Sequence, residues 1–575
     1  FSSSEAGTIT YGGSCSSSTT AATTDNNTIT LVSLSEGTYS DCTITVTDNV
    51  SNSVTLNISS FVIDTTAPTV SSISPTDNQS GISDSDNISV TFSEAMDSSS
   101  VTTNTSNTSC SGSFQLSSDN FSGCIQMSSS PSSSNSNKTF TVDPSDNLSG
   151  TTYHKIRVTT GVKDSAGNTL SSQYETSNGF STWSGTQLFG TSSDDRGMGI
   201  IVDASDNIYI TGYTEGNLDG NTNMGGRDIF IMKVSPSGDK DYTILYGTSA
   251  DDSGNGISLD SSNNVYIAGK THLISGSTST YSDILILKYN SNQVLQWNKN
   301  YGGSMGDVGR GLFNDSSGNV YVTGEYIENN SNTDIIILKY NSSGTLQLNK
   351  SIGTTSTDVG LSIHGDSSDN IYISGETSGD LDGTNSGYQD IVLLKYNLSG
   401  ESQWIKQIGT SAGMEQGRGV TTDSSDNIYM IGNTQGGLDG YTNIGVEDVY
   451  LVKYNSSGTK QWSKQIGSSG IDYGNSVTTD SLNNIYITGS TRGDFDGNTL
   501  SGKQDVFLVK YNSSGTKQWS KQIGSSSYDS GQSVITDSSN NIYITGYTQG
   551  NFDGKTSSGR DDIFLIKYNS DGVKQ

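Results

Sequence analysis

The chain has no long apolar run, very little proline and little positive charge. No stretch reaches the roughly 18–20 apolar residues of a membrane-spanning helix. Five prolines in 575 residues exclude a proline-rich stalk. Basic residues number 29 against 59 acidic ones, a net charge of −30. A phosphate backbone or an anionic membrane surface would be repelled, so nucleic acid is not expected as a partner. Only three histidines occur, His154, His272 and His364, scattered along the chain. The cysteines form no CxxC pair, so a zinc centre is not expected either. GxSxG, HExxH and phosphate-loop motifs are absent. These absences assign no catalytic residue and no cofactor, and an enzyme is not expected.

Cysteine stops after the first third of the chain. Cys15, Cys42, Cys110 and Cys124 fall in two close pairs, which suggests Cys15–Cys42 and Cys110–Cys124 among three connectivities. Disulfides imply an oxidising compartment, hence an extracellular or cell-surface protein. Buried free thiols are the alternative. The chain begins abruptly at Phe1, so further residues are expected upstream.

What is present is Ser, Thr, Asn, Gly and 29 tyrosines. Tyr, Val, Ile and Thr recur in short alternating runs bounded by Gly, Asn, Asp and Ser, which read as strands and turns. From Trp183 onward the sequence repeats seven times: 183–242, 243–296, 297–347, 348–403, 404–461, 462–518 and 519–575. Each copy reads as four strands, such as "NSVTTD", "NIYITGST", "DVFLVKYN" and "TKQWSKQIG" in the sixth. Four short strands per copy with no helix between them fit the blades of a β-propeller. The last copy ends at Gln575, one residue short of the tryptophan that "YNSSGTKQW" carries twice. Trp183 in "STWSGTQLFG" is placed to supply it, closing a ring that leaves no open sheet edge. All five tryptophans share this position, which is expected to be inter-blade core.

The pattern "DSSDNIYITGYT…DIFLIKYNSSGTKQW" resembles the SBBP family of bacterial β-propeller repeats over 183–575. That resemblance implies a surface or secreted protein and names no activity. "TAPTVSSISPTDNQSGISDSDNISVTFSEAMDSSSV" and "TTYHKIRVTTGVKDSAGNTLSSQYE" resemble a bacterial Ig-like domain, placed at 65–182. Residues 1–64 resemble a second Ig-like sandwich lacking its first strand, and more such domains are expected before it. The expected fold class is all-β: two Ig-like β-sandwiches, then a seven-bladed β-propeller closed by its N- and C-terminal segments.

Three sets of residues carry candidate chemistry. Tyr209, Asp203, Lys233 and their equivalents occur in all seven copies, which favours structure, since an active site breaks symmetry. The Asp-x-x-x-Asn turn suits side-chain capping. A loop between strands two and three carries Asp-Gly in five copies, at Asp219, Asp382, Asp439, Asp496 and Asp553. Four of these add Asn217, Asp380, Asp494 or Asn551 two residues earlier. Hard oxygens on a Gly-bent loop are candidate Ca²⁺ ligands, with a plain turn as the alternative. Asp228 and its equivalents, at the start of strand three, read as strand caps. The loops linking copies are acidic, with Asp194, Asp195, Asp251, Asp252, Asp307, Asp358, Asp472 and Asp529, and with Arg196, Arg310 and Arg418 close by. They suggest an acid-rich face, either a solvated surface or a site for cations or polar sugars.

The reading that follows is a non-enzymatic surface or secreted protein, an Ig-like stalk with a propeller head, serving adhesion or an extracellular assembly. Other surface proteins, copies of itself or glycans are the partner classes. A glycan-binding propeller and a polysaccharide hydrolase or lyase are the alternatives.

Overall fold

The computed structural model describes every residue except 80, 81, 83, 85, 147, 149–152, 184, 273–280, 304, 328–331, 384 and 412. The chain forms two compact units, Phe1–Thr182 and Trp183–Gln575. Regular structure among the described residues is strand, apart from short 3₁₀ turns at Leu218–Gly220, Leu438–Gly440 and Phe495–Gly497. No helix among them is long and apolar enough to cross a membrane.

In the first unit, one four-stranded sheet joins Ala21–Ala22, Gly7–Gly12, Thr43–Asp48 and Ser53–Asn57. Its small core holds Ile9, Ala22 and Ile44. Two further sheets follow in the chain. One orders Ser132–Ser134, Thr139–Val142, Ile88–Phe92 and Val70–Ser74; the other is built on Phe114–Ser117 and Tyr153–Val158. Period-two alternation decides what they bury: Ile88, Val90 and Phe92 point inward, as do His154, Ile156 and Val158. Phe114, Leu116 and Phe140 complete that core. Cys15–Cys42 and Cys110–Cys124 are disulfides, and no cysteine is free.

The second unit stacks four-stranded antiparallel sheets, each a run of consecutive strands. Their first strands begin at Asp195, Ser253, Val308, Asp358, Glu415, Asp472 and Asp529; we number the sheets one to seven in that order. Each first strand neighbours that of the next sheet, and the first strand of sheet one also neighbours that of sheet seven. Strand three is buried on both faces, which is why "DIIILKY" and its equivalents are continuously apolar rather than alternating. The cores lie between sheets. Ile335 and Ile337 of sheet three, for example, pack on Ile371, Ile373 and Val392 of sheet four.

The fourth strand of sheet seven is supplied by the other end of the unit. Gln187, Leu188 and Phe189 pair with Leu565, Phe564 and Ile563. The tryptophans lie where sheets meet. Trp404 lies tilted against Tyr372 of its own sheet, with ring centroids 6.0 Å apart. From the following sheet, Gly458 sits on its other side, in a left-handed turn (φ 78°) where a Cβ would come within 2.9 Å of the indole. Only glycine fits both the turn and that approach.

Candidate functional site

The residues common to all copies are consumed by one repeated lattice. In sheet four, Asp366 Oδ1 accepts the backbone N–H groups of Ser368 and Asn370, at 3.0 and 2.8 Å. The Asn370 amide returns to Asp366, and the Tyr372 hydroxyl donates to its Oδ2 at 2.9 Å. Lys395 lies 3.8 Å from the same oxygen and donates to Ser456 O of the next sheet at 3.0 Å. Burial pushes the Asp366 carboxyl upward, but the hydrogen bonds of Asn370, Tyr372 and the backbone outweigh it and hold the group below its ordinary value. The turn-capping role expected for these aspartates is what the geometry provides.

The Asp-Gly loops are also cross-links. Asp219, Asp439, Asp496 and Asp553 all adopt positive φ, between 51° and 55°, followed by a positive-φ glycine. Aspartate tolerates this region better than most residues, hence the Asp-Gly pair. Their carboxylates are ion-paired with Lys240, Lys460, Lys517 and Lys574 on the neighbouring outer segment. The upstream residues face a different way. Asn217, Asp494 and Asn551 accept the backbone N–H groups of Asn223, Leu500 and Ser557, and Asp380 accepts that of Asn385. Asp382 has no lysine partner and is exposed; its backbone N–H donates to Gln407. A calcium ion on the four paired carboxylates would have to displace the lysines.

The linking-loop acids require a correction. Asp195, Asp252, Asp307, Asp358, Asp472 and Asp529 do not form a solvated acidic face; each is fully buried. The Gly-rich first strand turns them inward, where they staple the linking loop. Asp252 Oδ2 accepts both the backbone N–H and the hydroxyl of Thr248, at 2.6 and 2.9 Å. Asp194 and Asp251 remain accessible. Burial raises the carboxyls of Asp195, Asp358 and Asp472, and brings that of Asp529 to about 6.

Symmetry also breaks along the first strands. Each first strand carries a β-bulge, and the bulged residues are Met198, Asn255, Arg310, Leu361, Arg418, Asn475 and Gln532. A bulge re-aims a side chain, and these seven line one cavity of ≈ 260 Å³. On sheets three to five, charge collects beside it. Arg310 Nε bonds Glu325 at 2.7 Å. Arg418 donates to Asn433 Oδ1 at 2.9 Å and to Gln416 Oε1 at 2.7 Å. Glu376 is 7% exposed and held by the Gln389 amide at 2.9 Å, while Glu447 takes the Asn433 amide. Burial raises both glutamates and depresses the Arg418 guanidinium. Exposed Tyr388, Met414 and Val446 immediately precede Gln389, Glu415 and Glu447. On sheets seven and one, Arg196 bonds Asp561 at 2.5 Å and lies 4.1 Å over the Tyr547 ring.

Sequence reasoning found Arg196, Arg310 and Arg418 but missed Glu376, Glu447 and Tyr388. The available signal was the variable residue in Gly-x-Gly or Gly-x-Ser of each first strand, "GRG" against "GMG" or "GLS". In the first unit, Asp64, Glu94 and Asp164 bring carboxylate oxygens within 4.8 Å of one another. Asp164 is already bonded there by the N–H groups of Ala166, Gly167 and Asn168.

Residues 64–183 match the bacterial Ig-like domain family. Residues 185–219, 241–272, 403–439, 461–496 and 518–553 match the SBBP beta-propeller repeat, and 316–346 a beta-propeller domain of unknown function. An uncharacterized WD repeat-containing protein of Acanthamoeba polyphaga mimivirus is 29% identical over 216 residues, 29% of this chain and 16% of that protein. The regulatory protein FlaEY of Caulobacter vibrioides is 24% identical over 305 residues, 44% of this chain and 31% of that protein. The matches thus span less than a third of either relative's length. Among solved structures, a polysaccharide lyase (ulvan lyase) has a TM-score of 0.42 at 11% identity, covering 68% of this chain and 97% of the lyase. The WD40 domain of Neurospora crassa Pan2 has 0.39 at 9%, covering 64% and 88%.

Proposed function

Because the chain is an SBBP-type β-propeller repeat protein with a bacterial Ig-like domain before the propeller, we propose that it is a non-enzymatic extracellular or cell-surface protein, acting in adhesion or in an extracellular assembly. In this reading residues 1–64 form a second Ig-like domain, and the seven sheets are the blades of a ring closed by Gln187–Phe189. The two disulfides favour an oxidising compartment. One observation carries the reading. The repeated residues are consumed by structure, while the residues that break the repeat gather around one polar cavity. A binding surface needs such asymmetry on a rigid scaffold.

A glycan is the ligand class favoured within this reading, because exposed Tyr388 immediately precedes Gln389, whose amide holds Glu376, and Glu376 interacts with Arg418. The test is binding of the full chain to immobilised glycans and to cell surfaces, with Tyr388→Ala and Arg418→Ala compared with the parent. Loss of at least tenfold in affinity in both variants is expected. Binding untouched by either removes the cavity mouth from the proposal, and depolymerisation of a polysaccharide by the parent replaces adhesion with catalysis.

A further inference from the structure

The buried acids of the linking loops do not stand alone. Each faces the aspartate that opens strand three of the preceding sheet. Five such pairs are fully buried on both sides. In the pair of Asp448 with Asp472, Asp448 Oδ1 accepts the Gly445 N–H; the other four are Asp228 with Asp252, Asp390 with Glu415, Asp505 with Asp529, and Asp562 with Asp195. Among the described residues, every lysine or arginine ion pair is made with some other acid. Burying two anions without a counter-charge costs several kcal/mol per ion. Buried charges in proteins are paired or coordinate metals.

A second observation points to a ligand. In these four pairs the strand-three aspartate uses one oxygen only. Oδ2 of Asp228 accepts Met224 N–H at 2.8 Å, and Oδ2 of Asp505 accepts Ser501 N–H at 2.7 Å. Oδ1 of Asp228, Asp390, Asp505 and Asp562 has no partner at all. A glycine lies beside each such oxygen: a Cβ on Gly247 would come within 2.1 Å of Asp228 Oδ1, and one on Gly524 within 2.1 Å of Asp505 Oδ1. The next residue, Thr248 or Ser525, donates to the partner acid, so one short backbone segment spans both carboxylates. Between sheets one and two, Asp252 Oδ1 and Thr271 Oγ1 are buried and unpartnered as well.

The Asp-Gly loop now has a purpose. Its later residues Met224, Ser386, Ser501 and Ser558 supply the N–H groups that cap these aspartates. In sheets two and three, where the loop has no Asp-Gly, the equivalent Asp283 and Asp334 are only half-buried. The loop is a lid over a carboxylate pair.

We propose that these junctions are divalent-cation sites, with calcium as the ion and Asp228/Asp252/Thr271 as the most complete ligand set. Two carboxylates carry −2, which one Ca²⁺ neutralises, and all the donors are hard oxygens. Peptide carbonyls and water complete the shell. The ion lies under the loop and not on Asp219, Asp439, Asp496 or Asp553.

The test uses the full chain, stripped with chelator and then equilibrated with calcium chloride. Metal analysis after gel filtration is expected to give on the order of four Ca²⁺ per chain, one for each of these four pairs. Thermal unfolding of the propeller is expected to shift upward with calcium through linkage, and less with magnesium chloride at equal ionic strength. Asp228→Asn with Asp505→Asn should lose about half of the bound metal, while Asp496→Ala keeps it all. Two results overturn the proposal. One is a parent that retains no calcium and melts identically in chelator and calcium, which leaves the pairs neutralised by protons. The other is a double Asn variant with undiminished metal. If that variant fails to fold, the parent's metal content and its calcium shift still decide.

Discussion

Trp183 packs edge-on against Tyr543, with ring centroids 5.7 Å apart, and Lys567 lies 5.2 Å over the same indole. Trp519 lies tilted against the equivalent Tyr486, at 6.1 Å, one sheet earlier. The first residue of the second unit thus fills the place that the last copy of the repeat leaves empty. Trp183 is fully buried whereas Trp519 is half-buried. Trp183→Ala should therefore destabilise the propeller by about 3–5 kcal/mol, and Trp519→Ala by less. Calorimetry of the full chain resolves the propeller transition. Equal, small effects of the two variants would show that the terminal segment closes nothing.

The disulfides belong to the first unit alone. Cys15–Cys42 and Cys110–Cys124 close segments separated by 27 and 14 residues. Chain-entropy loss in the unfolded state gives each about 2–4 kcal/mol. Reduction should lower the melting temperature of the first unit and leave the second unchanged. Mass spectrometry of the unreduced protein should find both cross-links; alkylation of native cysteine would contradict them and weaken the extracellular reading.

The Asp496–Lys517 pair is a surface cross-link between a loop and the outer strand, with the lysine side chain 40% exposed. Such pairs contribute ~0.2–1 kcal/mol. Asp496→Ala should cost no more than that and keep any calcium-induced rise in melting temperature. If instead the combined Asp496→Ala and Asp553→Ala variant abolishes that rise, calcium sits on the loop carboxylates themselves, as the sequence pattern first suggests.

The repeat was legible because its chemistry is local. "NIYITG" and "KYNSSGTKQW" encode a strand, a capped turn and, in most copies, a tryptophan at fixed spacing, and these recur from sheet to sheet. The place of Trp183 beside Tyr543, matching Trp519 beside Tyr486, was legible too, since only that copy of the tryptophan was displaced. The orientation of Asp195, Asp252 and Asp529 was not. Counting acids in a loop cannot tell a solvated carboxylate from one turned inward by a bulged, glycine-rich strand. Nor could spacing show that Lys517 would reach Asp496, because that contact depends on sheet register rather than on the loop's own sequence. Glu376 and Glu447 come together with Arg418 only when sheets four and five stack side by side.

His364 offers a pH test outside the carboxylate pairs. It occupies the first-strand position that Phe313 fills in sheet three, and the two rings lie 6.0 Å apart. Burial pushes its imidazole down to about 4, with Asp366 opposing weakly. A base whose folded pKa is depressed adds stability above its unfolded value of about 6.5, because the unfolded chain binds the proton more readily. That contribution is lost as pH falls through about 4. The residue keeps partial exposure, so the full shift is discounted to roughly 1–2 kcal/mol. Asp366 and Asp423, held low by their hydrogen bonds, lose their contributions only at lower pH still. The raised carboxyls, such as Asp358, run the other way, which makes the parent's own profile a poor readout. Comparison with His364→Phe cancels them, since only the histidine differs. Denaturant unfolding at pH 7 and at pH 4.5 should show the parent losing about 1–2 kcal/mol relative to the variant as the pH is lowered. A difference that stays constant across that range would mean that His364 is solvated and carries its proton in the folded state as easily as in the unfolded one.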